Sequence, residues 1–186
     1  MERKGKMNTI ETENNIELCN KIVSPYEEHL ERTNDWLSFA EAKNGAIIAI
    51  NVALIASLIT VFDKAPIFCV IAISVFLVSC IVSLISFIPN TKSRPDKNEI
   101  ENTGEKNLLF YGDIASIGTI EEYIKLSINR YFSNEEMDIV NELVYDLASE
   151  VLINSRITVK KYKNFKNAVK IDFIALVMTI IFFCVA

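Results

Sequence analysis

The chain has a single histidine in 186 residues, and His29 sits among Glu27, Glu28 and Glu31 on an expected surface helix. It reads as a solvated residue rather than a base, so no Ser-His-Asp set is available. Gly-rich phosphate loops, the Walker A pattern and HExxH are all missing. Carboxylates are numerous but scattered over helix faces, and no catalytic residue and no enzyme activity are expected. Cys19, Cys69, Cys80 and Cys184 form no CxxC pair, and three of the four lie in apolar runs. They read as small packing residues in a reducing setting, with no metal site and no disulfide. The net charge of -5, with no Arg-rich arm, argues against a nucleic-acid polymer as partner. No segment alternates polar and apolar residues as a strand would, so an all-α protein is expected. The polar start, which continues past residue 40, carries no cleavable signal pattern.

What the chain does have is hydrophobicity in blocks. Residues 45–62 form an uncharged run of 18, Asp63-Lys64-Ala65-Pro66 breaks it, and 67–88 supply 22 more uncharged residues. At about 1.5 Å per residue these helices match a hydrocarbon core of about 30 Å. So short a turn between them dictates an antiparallel transmembrane hairpin. A third run, 168–186, contains Lys170 and Asp172, which can reach toward the headgroups, and has no charge from Phe173 onward. It reads as a third span; the alternative is a helix packed on the hairpin without crossing. The expected organisation is a cytosolic N-terminal region (1–44), the hairpin (45–88), a cytosolic linker and helical domain (89–167) and the C-terminal transmembrane helix (168–186).

Lysine and arginine set the orientation. Residues 92–170 hold 12 of the 19, six precede Gly45, and the hairpin turn has only Lys64 beside Asp63. The N-terminus and residues 89–170 are therefore expected in the cytoplasm and the C-terminus outside, in a multi-pass protein of the cell inner membrane. On the first span Ala46, Ala49, Ala53, Ala56 and Thr60 make a small-residue face. Ser79, Ser83 and Ser86 make a comparable face on the second, and the two faces are expected to pack together. Asn51 lies opposite the alanine stripe, where it could meet another protomer, line a polar path, or bond to the third helix.

Three segments fit capping boxes: Ser24-Pro25-Tyr26-Glu27, Thr119-Ile120-Glu121-Glu122 and Ser133-Asn134-Glu135-Glu136. No Pro or Gly follows Pro25 until Gly45, so one helix can run from the cytosol into the first span. Met137, Val140, Val144, Leu147 and Val151 repeat at helical spacing as a packing stripe, on a helix that can continue through Lys160 into the third span. Helices shared in this way would carry a cytosolic movement into the bilayer. Residues 89–105 read as a polar linker. Asn107-Leu108-Leu109-Phe110-Tyr111-Gly112-Asp113 has no clear period and a turn at Gly112. It either packs on a core or presents its aromatics and Asn107 to a ligand.

This last segment, through Ile114 and followed by Glu121-Glu122-Tyr123, resembles the signature of the transmembrane effectors of Pycsar antiphage systems. Ala40-Glu41-Ala42-Lys43-Asn44-Gly45 leading to Asn51 resembles the family's entry to its hairpin. The late helix through Arg156, Lys160, Lys161 and Tyr162 matches in order. Lys43-Asn44-Gly45 stands where Lys-Ala-Gly or Lys-Ala-Ser is more usual. The likeness covers residues 25–186. It implies an antiphage defence effector activated by cyclic CMP or cyclic UMP from a cognate cyclase, which impairs inner-membrane integrity and aborts infection. No established nucleotide-binding domain is visible.

Such a ligand needs a cation for its phosphate, an aromatic face for its base and an amide for the base edge. Arg156 and Lys160, four residues apart, can supply the first, and Phe110, Tyr111 and Asn107 the others; Trp36 and Lys43 lie at similar height. The plain reading of Lys163, Lys166 and Lys170 is positive-inside anchoring. No cofactor is expected beyond this activating ligand. Three spans with few polar residues cannot form a channel singly, so a homo-oligomer in the lipid bilayer is expected. The competing reading is a membrane-anchored helical interaction module tethering a cytosolic partner. A small transporter subunit is less attractive because the spans lack a buried charge or a broken helix.

Overall fold

The computed structural model describes residues 2–88, 106–132 and 140–185, with side chains described from Lys21 to Cys184 within those ranges. The described residues are helical and contain no strand: α1 (Glu2–Thr60), a 3₁₀ turn (Phe62–Lys64), α2 (Pro66–Ile85), α3 (Tyr111–Ala115), α4 (Ile120–Tyr131) and α5 (Glu142–Val185). They divide into two compact units, Met1–Asp35 with Lys92–Arg156, and Trp36–Thr91 with Ile157–Ala186. The helices α1 and α5 each contribute to both.

In the first unit, Ile22, Val23 and Tyr26 of α1 pack with Leu108, Ile114, Ile117, Tyr123, Ile124 and Ile128. Val144, Ala148, Val151 and Leu152 of α5 complete this core. The expected stripe is confirmed from Val140 to Val151, while Met137 lies outside the described residues. Each large apolar side chain buried from water stabilises this unit by roughly 1.5–3 kcal/mol. Thr119 caps α4 as expected: its Oγ1 accepts from the Glu122 N–H at 3.1 Å, and Glu122 Oε2 accepts from the Gly118 N–H at 2.9 Å. The expected cap at Ser133 lies outside the described residues; α5 is capped by Asn141, whose Oδ1 accepts from the Val144 N–H.

Pro25 departs from expectation. It does not start a helix but lies inside α1, although an interior proline costs about 3 kcal/mol. The core anchors Ile22, Val23 and Tyr26 flank it on both sides, so tertiary packing holds the helix through the defect.

The second unit contains the hairpin. Three helices are long and apolar enough to cross a membrane, and α1, α2 and α5 carry them. Lys64 N–H donates to Val61 O and Ala65 N–H to Phe62 O, closing the turn before Pro66 begins α2. Large apolar side chains on all three helices face outward, among them Ile67 (78% exposed) and Phe173 (66%). The inner stripe of α1 is Asn44, Ile47, Asn51 and Leu58. This reverses one expectation: Ala46, Ala49, Ala53, Ala56 and Thr60 are exposed, and the Asn51 face packs inward. In lipid a small residue loses little by facing out, whereas an amide does, and this sets the rotation of the helix. Ser79, Ser83 and Ser86 point inward as expected.

Candidate functional site

The 107–118 segment is ordered by its own polar groups. Asn107 N–H donates to Asp113 Oδ2 at 2.8 Å, and Asn107 Oδ1 accepts from the Leu109 N–H at 2.9 Å. These bonds wind the chain into a tight turn leading to α3, so Gly112 sits inside a short helix rather than at a turn. A Cβ there would lie 2.5 Å from Phe110 Cε1, so glycine lets the exposed Phe110 ring lie close over the start of α3. Leu108 is buried in the core while Leu109 and Phe110 are exposed, and the Phe110 ring leans on Tyr111 at 4.6 Å between centroids. The segment thus anchors at one residue and displays its neighbours.

Arg156 approaches this segment from α5. Its Nε donates to Ala115 O at 3.3 Å, and its Nη2 donates to Ile117 O and, at 3.2 Å, to Gly118 O. A guanidinium fork suits such a fan of carbonyls. Lys106 Nζ donates to Ser116 O at 3.3 Å and lies 3.8 Å from Glu122, and Arg130 donates to Lys106 O. The carbonyls that follow α3 are therefore held by cations. Sequence spacing marks Arg156 as a cation on a helix face but does not announce this carbonyl clamp.

His29 is not the solvated residue expected. Its Nδ1 shares a 2.9 Å hydrogen bond with the Tyr123 hydroxyl, and its ring stands edge-on to Tyr131. Tyr26 packs edge-on against Tyr123 at 6.0 Å. Burial lowers the His29 pKa, with nearby Arg32 adding to the effect and Glu28 opposing it. Burial likewise pushes the Tyr123 phenol far up. The sequence signal for this cluster is the placement of His29 one turn after the core-facing Tyr26.

In the membrane unit the lysines divide sharply. Lys163, Lys166 and Lys170 are not buried, whereas Lys161 is. Lys161 Nζ pairs with Glu41 at 2.9 Å and donates to Ser86 O, and its backbone carbonyl accepts from Asn44 Nδ2 at 3.2 Å. Lys43 lies over the Phe39, Tyr162 and Phe165 rings at 4.4, 5.0 and 5.5 Å. Lys160 lines a cavity of about 260 Å³ with Lys161, Asn164, Ser86 and Ile157. Asn51 is fully buried beside the Cys80 thiol. Asn107, Phe110, Tyr111 and Arg156 thus belong to the first unit, and Lys160 and Asn51 to the second. No group of three or more His, Cys, Asp or Glu among the described residues could hold a metal.

The chain is 30% identical over 141 residues to the Pycsar effector protein RsPycTM of a Rhizobium species, covering 72% of this chain and 78% of that one. It is 26% identical over 142 residues to the Pycsar effector protein PtPycTM of Propioniciclava tarda, covering 72% of this chain and 64% of that protein. No solved structure matches. Residues 26–186, which take in the clamped segment and all three apolar helices, match the Pycsar effector protein domain, and the chain belongs to that family of membrane effectors.

Proposed function

We propose that the protein is the inner-membrane effector of an antiphage system, activated by cyclic CMP or cyclic UMP and acting as a homo-oligomer that breaches the membrane. The observation that carries this reading is the family match across residues 26–186, which takes in parts of both units. The lysine distribution supports a cytoplasmic N-terminus and an outward C-terminus. In this reading Phe110 and Tyr111 offer stacking surface, Asn107 offers an amide, and Arg156 answers the phosphate. Arg156 would act by exchange. Charge-assisted bonds to neutral carbonyls contribute roughly 1.5–3 kcal/mol, and a bidentate pair with an anionic phosphate is stronger. A cyclic phosphate can therefore draw the guanidinium away from Ala115, Ile117 and Gly118, releasing the segment from α5. Because α5 continues into the membrane unit, the release has a direct covalent route to the bilayer.

The experiment is a dye-release and membrane-potential assay on liposomes holding the full chain, with cyclic CMP, cyclic UMP and a cyclic purine nucleotide as control. Release is expected with a cyclic pyrimidine nucleotide alone. Protein verified as inserted that leaks equally with and without nucleotide, or not at all, refutes the reading.

A further inference from the structure

The interior of the membrane unit contains polar atoms that hydrogen bonding does not explain. Asn44 Oδ1, Ser86 Oγ, Ser83 Oγ, Asn51 Oδ1 and both carboxylate oxygens of Asp172 are buried without a hydrogen-bond partner, while the Asn51 amide meets the Cys80 thiol. Asn44, Asn51 and Ser83 are each 0% exposed. An orphaned polar group loses its hydration without recompense, and among lipid-facing helices no nearby water offsets that loss. So many on one set of inward stripes call for a cause.

Their order along the bundle follows from helix register. Lys161 meets Ser86 and Asn44 at one level. Ser79 Oγ donates to Ala168 O at 3.4 Å further along. Phe68 stacks on Phe182 at 3.9 Å further still. Asp172 lies one turn beyond Ala168, on the stripe shared with buried Ala168 and Ala175. This places it level with the middle of the hairpin, so it does not reach toward the headgroups as the sequence suggests. The spans do hold a buried carboxylate. Ser83 lies one turn from Ser79 on the Lys161 side, and Asn51, seven residues beyond Asn44, comes level with Ser79 and beside the Cys80 thiol. The Lys161 ammonium occupies the level of Asn44 and Ser86; beyond it the oxygens run from Ser83, past Asn51, to Asp172, over about 12 Å of helix rise. Phe76 is buried level with Asp172, and beyond them the interior is apolar, with Leu58, Cys69, Ala72 and Ala175.

We propose that Asp172, with the Asn51 and Ser83 oxygens on its cytosolic side, is a monovalent-cation site within each protomer, closed from the far side by the apolar layer. Carboxylate, amide and hydroxyl oxygens are ligands for hard cations, and one carboxylate balances one unit charge. Intramembrane acids mark ion pathways, and apolar constrictions close them by excluding water. The site rests on the effector reading and deepens it by naming what the membrane unit binds, but cation binding at Asp172 needs no nucleotide.

The test is thermal unfolding of the full chain in detergent, without nucleotide, in potassium or sodium chloride against N-methyl-D-glucamine chloride at equal ionic strength. With the alkali cation at about ten times its dissociation constant, the melting temperature is expected to rise by about 3 °C. Asp172→Asn keeps the shape and is expected to abolish the rise. If that variant does not fold, Asn51→Leu with Ser83→Ala carries the same expectation. No rise in the unaltered protein, or an equal rise in the variants, overturns the site. A cation-dependent rise in protein that ignores both cyclic pyrimidine nucleotides would instead sustain the site and refute the activation reading.

Discussion

Lys161 lies in a run with Lys160, Lys163 and Lys166, yet only Lys161 is expected to matter to stability. Its side chain is 10% exposed, its Nζ is 2.9 Å from Glu41 Oε1, and it donates to Ser86 O at the end of α2. The Phe87 ring centroid lies 5.7 Å from the ammonium. Lys161→Met retains most of the apolar stem and removes only the charge and its bonds. Breaking a fully buried pair costs about 3–5 kcal/mol, but Glu41 is 45% exposed and can regain water. The loss then approaches that of one charged hydrogen bond to a helix-end carbonyl plus a screened pair, about 2–3 kcal/mol. For a chain of this size that lowers the melting temperature by roughly 4–12 °C. Asn44 still bonds the Lys161 backbone, so the helices stay in register. Lys163→Met, outside any such contact, should change stability by less than about 0.5 kcal/mol. Calorimetry or tryptophan fluorescence from Trp36 in detergent measures both. Equal shifts for the two variants would refute the claim that Lys161 is structurally distinct from the anchoring lysines.

Three further outcomes follow from the geometry. Because the His29 pKa is lowered below its ordinary 6.5, the unfolded chain binds the proton first; stability is full above that value and is lost as pH falls through it toward the folded value. His29→Gln should flatten the unfolding midpoint between about pH 7 and pH 5 relative to the parent, and an unchanged slope would show that His29 does not titrate with folding. Gly112→Ala, whose Cβ would meet Phe110 Cε1 at 2.5 Å, should rotate the exposed ring away at a cost of about 1 kcal/mol, read as altered ring-proton shifts of Tyr111. Asn51→Leu should leave insertion intact yet reduce nucleotide-dependent leakage if the spans do more than tether, whereas normal leakage would favour an anchored interaction module.

The hairpin, the two long helices, the Thr119 cap and the Val144-Leu147-Val151 stripe are legible in the sequence because each is written in local spacing. The rest is not, and the reasons are physical. Composition cannot say which side of a membrane helix faces in, because alanine suits either side; the buried amides Asn44 and Asn51 settle it once the partner helices are known. Asp172 reads as a headgroup residue because it opens the third apolar run. Its true depth depends on the register of α5 against α2. The spacing of Lys161, Ala168, Asp172 and Ala175, successively seven, four and three residues apart, is the available signal. Arg156 has the right chemistry for a phosphate, but nothing local reveals that three carbonyls already engage it.

The two units also differ in what holds them, and this bears on how the protein can switch. In the first, each buried isoleucine or tyrosine gains from leaving water, so the core around Tyr123 and Val151 resists change. In the membrane unit an apolar side chain gains little by turning from lipid to protein. Beside the apolar layer, the arrangement is held by a short set of polar contacts: Asn44 and Ser86 with Lys161, Ser79 with Ala168, and the Lys43 ring cluster. Each contributes only about 1–3 kcal/mol, so in the activation reading proposed above a ligand with a differential affinity of about 5 kcal/mol would suffice to exchange one set for another. In that reading, replacing these contacts should lower the threshold for leakage, whereas enlarging the core of the first unit should not. Ser79→Ala, which removes one such contact and leaves the apolar layer untouched, is expected to raise nucleotide-free leakage from liposomes above the parent's. A leak rate equal to the parent's would show that packing of the apolar layer, rather than these bonds, keeps the unit closed.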